Sequence, residues 1–184
     1  SPTLERVRRQ AEASLFFKKV FLYDEHLLGD LFLKKFRGQL IKGCRGFGYW
    51  VWKPYVILET LKKIPDGAIL FYMDAGCWIN SKGNETFELF VNRTSESPSG
   101  LLVSELTVDC LEKYYTKGDL LDFFNVRDIK EIVESPQRAA TAFFIRKDPI
   151  NIEFVEKWLA IFDHFSLIDD TPSVSPNLDG FIEN

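Results

Sequence analysis

The chain has 184 residues and a formal net charge of −4, which suit one folded domain and give no bulk attraction to nucleic acid. Hydrophobic residues make up 46% of it and aromatic residues 15%, a composition that excludes an intrinsically disordered protein. Cys44, Cys77 and Cys110 form no CxxC pair, so neither a zinc site nor a disulfide framework is indicated. Unpaired thiols favour a cytoplasmic protein. No apolar run reaches the ~18 residues that span a bilayer, so a membrane-spanning segment is not expected in this sequence, and peripheral association with a membrane stays open.

The first third of the chain predicts three helices and one strand. A helix is expected to begin at Ser1-Pro2-Thr3, and Lys19–Tyr23 has the apolar character of a short strand. A helix is predicted over Glu25–Phe36, followed by a glycine-rich loop at Arg37–Gly48. Proline fits the first turn of a helix, so Pro54 predicts another helix that ends near Ile64.

The remainder of the chain predicts strands that alternate with helices. The predicted elements are a strand at Ala68–Met73, a helix at Glu85–Asn92, a strand at Leu101–Glu105, a helical region at Leu111–Phe124 broken at 116–118, a strand at Ala139–Arg146, a helix at Asn151–Phe162 and a loop at 169–180. Such alternation predicts an α/β fold, with a mixed, mostly parallel central sheet and helices on both faces. We expect a single domain over residues 1–184.

The aspartate that follows the strand Ala68–Met73 is the strongest candidate for a functional residue. Open α/β sheets bind ligands at the carboxyl ends of their strands, which is where Asp74 is expected. A carboxylate there can bind Mg²⁺ or Mn²⁺ while substrate phosphates complete the coordination. The alternative is an aspartate that only begins a turn. Gly76 would let a ligand approach the backbone closely, unless it serves turn geometry alone.

A cationic segment with glycines and aromatic residues precedes the helix at Pro54. Arg45 could hold a diphosphate and Lys53 could reach it as a point charge. Tyr49 or Trp50 could stack on a nucleobase or on a sugar face. The competing interpretation places these aromatic residues in the core and the cations in solvent. Farther along the chain, Lys117 and Gln137 are weaker candidates for contacts with a substrate.

Two segments resemble a family of bacterial and viral glycosyltransferase-like proteins associated with capsule, lipopolysaccharide and other surface-glycan synthesis. The first is the run Gly48–Tyr55 (GYWVWKPY), and the second is Phe71–Cys77 (FYMDAGC). The resemblance implies the GT-A fold of nucleotide-diphospho-sugar transferases. It also implies a first strand before Ser1 and a further segment after Asn184, so that the chain would be a fragment of a longer protein.

The implied activity is transfer of a sugar from a nucleotide-diphosphate-sugar donor to a hydroxyl of a glycan or lipid-linked acceptor. In the family an Asp-x-Asp motif holds a divalent ion, Mn²⁺ or Mg²⁺, against the donor diphosphate. This chain has Asp74-Ala75-Gly76, so only the first carboxylate is present and the metal role passes to Asp74 alone. The general base is open between Asp109, Asp119 and Asp179.

Two rival functions stay open. A strand followed by Asp-x-Gly is also found in phosphatases with an aspartyl nucleophile, but Gly76 and Cys77 stand where those enzymes need Asp and Thr. The missing second carboxylate favours the other rival, a catalytically inactive module on the same fold that binds a glycan or a partner.

Overall fold

Helix α1 (Pro2–Ser14) begins where the sequence predicts, since the Ser1 side chain caps it by accepting the Leu4 amide at 3.4 Å. The computed structural model describes residues 1–183. Apolar residues of α1 at helical spacing, Val7 and Ala11, are buried. The helix ends at Leu15, whose left-handed backbone stops the helical hydrogen bonding.

The strand predicted at Lys19–Tyr23 is wrong. These residues are half-buried for the most part, but they belong to none of the three strands in the described part of the chain. A short apolar run forms a strand only where a partner edge is within hydrogen-bond reach, and that partner is set by the rest of the fold. The predicted helix Glu25–Phe36 is divided into a 3₁₀ turn (Glu25–Leu27) and a short helix α2 (Asp30–Lys35), with Gly29 between them.

The loop predicted at Arg37–Gly48 ends in a single turn of left-handed helix. This turn, α3 (Gly46–Tyr49), and the following Trp50 give five consecutive residues with φ between 50° and 86°. Its hydrogen bonds join Tyr49 N to Arg45 O at 2.7 Å and Trp50 N to Gly46 O at 3.2 Å. Left-handed turns of this length are rare, because L-residues other than glycine are strained in them.

Helix α4 (Trp52–Lys63) and strand β1 (Ile69–Met73) follow as the sequence predicts, with Pro54 in the first turn of α4. The next elements are α5 (Asn84–Glu96), β2 (Leu101–Glu105), α6 (Glu112–Tyr115), α7 (Gly118–Phe123), α8 (Lys130–Val133), β3 (Arg138–Arg146) and α9 (Pro149–Ile161), before a 3₁₀ turn at Phe165–Leu167.

The prediction of a mostly parallel central sheet is wrong. The described residues form one three-stranded sheet, of order β1-β3-β2, and it is fully antiparallel. Strand β3 pairs with β1 from Ile69 opposite Arg146 to Met73 opposite Ala142. Alternation of strands and helices along a chain predicts parallel neighbours only when successive strands pair with each other. Here β1 and β2 are separated by β3, which runs the opposite way, so the GT-A architecture is not obtained.

The chain divides into two compact units that alternate along the sequence. The first unit contains residues Ser1–Val103 and Ala140–Glu156, and the second contains Ser104–Ala139 and the chain from Lys157 onward. None of the helices in residues 1–183 has the length and apolar character needed to cross a membrane.

Candidate functional site

The first unit contains an open groove of about 680 Å³, which we call the aromatic groove. Aromatic side chains form much of its wall, and three charged side chains also line it. The aromatic residues are Tyr23, Phe47, Trp50 and Trp52, and the charged ones are Asp24, Glu25 and Lys42. Flat apolar faces beside carboxylates and an ammonium group suit a ligand that has both a ring face and polar substituents.

The left-handed turn α3 positions the aromatic wall. Gly46 lies against the Trp50 indole so closely that a β-carbon on Gly46 would be 2.5 Å from the ring. The Trp52 indole N–H donates to the Gly46 carbonyl at 3.0 Å, which ties the turn to the start of α4. Since Phe47, Tyr49 and Trp50 are not glycine, the turn costs roughly 3–6 kcal/mol at about 1–2 kcal/mol per residue. Strain of this kind concentrates at functional sites.

Two sequence-predicted residues, Arg45 and Trp50, meet at the edge of this groove. The Arg45 guanidinium lies 5.9 Å from the centre of the Trp50 ring, and Trp50 is 41% exposed. Tyr49 belongs to the same turn and is half-buried. An exposed indole with a cation beside it can accept a planar ligand and attract its negative charge.

A second constellation joins the start of α4 to the end of β1. Lys53 is 5% exposed, and its ammonium donates to Asp74 Oδ2 at 3.1 Å and to the Ala140 carbonyl at 2.9 Å. The Tyr72 hydroxyl donates a short hydrogen bond to Asp74 Oδ1. Burial, and then the bond to Asp74, raise the pKa of the Tyr72 phenol far above its ordinary value, so it remains a donor. Asp74 thus follows its strand as predicted, with Lys53 beside it.

The arrangement around Asp74 does not fit a divalent metal ion. One carboxylate oxygen faces the Lys53 ammonium and the other accepts from Tyr72, so a cation already neutralises this carboxylate. Within residues 1–183, no three His, Cys, Asp or Glu side chains are grouped so that they could hold a metal. We therefore assign Lys53 to the role of holding Asp74.

An arginine that sequence reasoning missed holds the turn after Asp74. Arg6, on α1, donates to the carbonyls of Ala75 at 2.5 Å and Cys77 at 2.9 Å, and it stacks 4.2 Å from the Trp78 ring. Gly76, in the same turn, is exposed, and a β-carbon there would meet nothing within 4 Å. Open space at Gly76 is compatible with close approach of a ligand, while Arg6 keeps the turn in one conformation.

Lys117 and Gln137 belong to the second unit, and both have intramolecular partners there. The Lys117 ammonium donates to the carbonyls of Ser166, Asp169 and Thr171. The Gln137 amide donates to Glu112 at 3.2 Å. These contacts tie both side chains to other residues of their own unit.

One candidate for the general base, Asp119, has a structural role in the same unit. Its carboxylate accepts the amides of Val174 at 2.9 Å and Ser175 at 2.7 Å. These two bonds lower its pKa, with that of Ser175 contributing most. A carboxylate stabilised in its charged form is a weak base, so Asp119 does not suit that role.

The groove residues that sequence reasoning missed include Asp24, Glu25, Lys42 and Trp52. Trp52 lies within the motif GYWVWKPY, so its membership of that motif was an available signal. The other three are ordinary surface residues in the sequence, and only the fold brings them to the groove. No family model, curated protein or solved structure matches this chain.

Proposed function

We propose that this protein is a glycosyltransferase that binds a nucleotide-diphosphate-sugar donor in the aromatic groove and transfers the sugar to a hydroxyl acceptor. The observation that carries the proposal is the groove itself, in which a strained turn presents Trp50 and Phe47 beside charges of both signs. The motif GYWVWKPY, on which the resemblance rests, supplies Trp50 and Trp52 to this groove, and together with FYMDAGC it supplies the Lys53–Asp74 pair.

Each part of a donor has a matching group in or beside the groove. The indoles of Trp50 and Trp52 offer faces for a nucleobase or a sugar ring. Lys42 and Arg45 offset the charge of a diphosphate, and they stabilise it further as it leaves with the electron pair of the broken glycosyl bond. Asp24 and Glu25 can accept hydrogen bonds from ribose or sugar hydroxyls. The Lys53–Asp74–Tyr72 cluster holds the end of β1 rigid.

The donor site is tested by thermal shift with uridine, guanosine, cytidine and adenosine diphosphates, each with and without Mn²⁺. We expect one nucleotide to stabilise the protein, and the shift to persist without Mn²⁺. Trp50→Ala is expected to abolish the shift. Trp78→Ala removes an indole that is 72% exposed and lies outside the groove, so it should leave the shift intact.

The outcomes separate the parts of the proposal. If no nucleotide diphosphate stabilises the folded protein, the transferase assignment is wrong. If a shift appears only with Mn²⁺ and is lost in Asp74→Asn, the donor site stands but Asp74 is a metal ligand after all.

A second function is favoured by one observation. Both oxygens of Asp74 are engaged by Lys53 and Tyr72, as expected of a structural residue in a module that binds a sugar nucleotide or glycan without turnover. Release of nucleoside diphosphate from the sugar nucleotide that binds best separates the two functions. A transferase hydrolyses its donor slowly, and Trp50→Ala lowers that rate, whereas a binding module yields no product.

A further inference from the structure

A second, smaller cavity of about 210 Å³ lies in the first unit, between α1, the segment 17–23, α4 and β1. Its walls are mostly apolar, and they include Val7 and Ala11 of α1, Ile57 of α4 and Phe71 of β1. Tyr23, Trp52 and Val56 line both this cavity and the aromatic groove. The two spaces are therefore neighbours within one unit.

The cavity contains one acidic group, Asp74, which lines it together with Tyr72. A carboxylate can accept about four hydrogen bonds. Asp74 accepts one from Tyr72 and one from Lys53, and its side chain is 25% exposed. It can therefore accept another hydrogen bond from a ligand in the cavity.

The remaining polar groups of the cavity offer less to a ligand. The Thr60 hydroxyl already bonds the Val56 carbonyl and the Tyr23 hydroxyl. The Lys19 ammonium lies 4.7 Å from the centre of the Phe21 ring. Asp74 is thus the acceptor that a ligand inside an otherwise apolar space would reach.

We propose that this cavity binds a compact apolar alcohol whose ring or short chain fills the apolar part and whose hydroxyl donates to Asp74. An apolar cavity of about 150 Å³ is enough to hold benzene, so the volume here accommodates a ring with a one-carbon hydroxyl arm. A carboxylate ligand has no proton to donate to Asp74, and a pure hydrocarbon would leave the remaining acceptor capacity of that carboxylate unused.

In the proposed glycosyl transfer, the alcohol bound in this cavity would be the acceptor. Its oxygen bonds to the anomeric carbon of the sugar as the bond to the donor diphosphate breaks, the diphosphate leaves with that electron pair, and the hydroxyl proton passes to the Asp74 carboxylate that the hydroxyl contacts. That role rests on the proposed function, whereas binding of the alcohol does not. An apolar acceptor also narrows the acceptor class, from any hydroxyl compound to one whose reacting hydroxyl is carried on a compact hydrophobic group.

The test is titration of the protein with benzyl alcohol and with toluene, followed by NMR of the amides and side chains around the cavity. We expect benzyl alcohol to bind at least tenfold more tightly than toluene, because only the alcohol reaches Asp74. Ala11→Leu fills the cavity and should abolish binding. Ala13→Leu makes the same change at an exposed position of α1 and should not. Asp74→Asn should reduce the affinity for benzyl alcohol to that for toluene.

Three results would overturn the proposal: equal affinities for the two ligands, no binding of either, or unchanged binding in Ala11→Leu. The nucleotide shift is measured in the same variants. Ala11→Leu is expected to keep it, because Ala11 does not line the aromatic groove. Loss of alcohol binding with an intact nucleotide shift rejects the cavity alone, and absence of the nucleotide shift with normal alcohol binding rejects the donor site alone.

Discussion

Lys53 Nζ lies 3.1 Å from Asp74 Oδ2, and this ion pair connects the first turn of α4 to the residue that follows β1. The same ammonium bonds the Ala140 carbonyl on β3, so one side chain joins a helix to two paired strands. A lysine with 5% exposure is rare unless its charge is paired. The pair therefore holds the first unit together at the point where the candidate site is built.

Removing either charge of this pair should destabilise the protein more than removing both. Lys53→Met leaves Asp74 without its cation, and Asp74→Asn leaves a buried ammonium, so each is expected to lower the free energy of unfolding by about 3 kcal/mol. The double variant should recover part of that loss. Urea unfolding of the wild type, the two single variants and the double variant gives the coupling energy between the two charges by a double-mutant cycle. Additive losses would show that the two charges do not interact.

The left-handed turn predicts a sharp difference between two glycine substitutions. Gly46→Ala places a β-carbon 2.5 Å from the Trp50 ring at a residue with φ of 56°, so it should displace the indole and abolish nucleotide binding. Gly38→Ala, in the preceding loop, meets nothing within 4 Å and is the matched control. Thermal shift with the nucleotide that binds wild-type protein measures both. If Gly46→Ala still binds the nucleotide, the conformation of the left-handed turn is not required for nucleotide binding.

Local sequence signals located most helices and strands but not their arrangement. Pro54 marks the start of α4, and the apolar run before Asp74 marks β1, because these signals act through neighbouring residues. Strand order depends on which strands, distant in the sequence, pair with each other. The hydrophobic periodicity of each segment therefore could not predict that β3 lies between β1 and β2.

The candidate site was also only partly predictable from the sequence. Asp74 at a strand end and Lys53 in the aromatic motif were identified, and the fold brings them together. The left-handed backbone at Phe47 and Trp50 contradicts the ordinary preferences of aromatic residues, so no propensity would have placed them there. Arg6 acts on backbone carbonyls about 70 positions away, a contact with no local signal.

In the second unit, the Asp122–Arg127 pair predicts a loss of stability in acid. The Arg127 guanidinium, which donates to Asp122 Oδ2 at 2.8 Å, contributes most to lowering the pKa of that carboxyl from 3.8 to about 2, and Ser175 adds to it. Because the folded pKa lies below the unfolded one, the stabilisation is complete above about pH 4 and is lost as the pH falls towards 2.

Asp122→Asn should therefore reduce the fall in unfolding free energy between pH 5 and pH 2, because the variant has no carboxyl to protonate at this position. Asp109→Asn, at an exposed turn of the same unit, is the control. Urea unfolding across this pH range measures both. An unchanged slope in Asp122→Asn would assign the acid sensitivity to other carboxyls.

The hydrogen bonds of the Lys117 ammonium predict that this residue stabilises the second unit rather than contacting a substrate. It donates to the carbonyls of Ser166 at 2.5 Å, Asp169 at 3.2 Å and Thr171 at 2.6 Å, and Asp169 Oδ1 lies 3.5 Å away. Lys117→Met leaves these carbonyls without their shared donor, so we expect the free energy of unfolding to fall by about 2 kcal/mol and amide exchange to rise over residues 166–171.

Lys113→Met is the control for this prediction, because the Lys113–Glu134 pair is more exposed, with 3.7 Å between Nζ and Oε1, and should contribute less than about 1 kcal/mol. Hydrogen exchange followed by mass spectrometry measures the local effect, and urea unfolding measures the global one. If Lys117→Met weakens nucleotide binding while leaving exchange and stability unchanged, then Lys117 contacts the substrate, as the sequence suggested. Faster exchange with intact binding would establish the structural role.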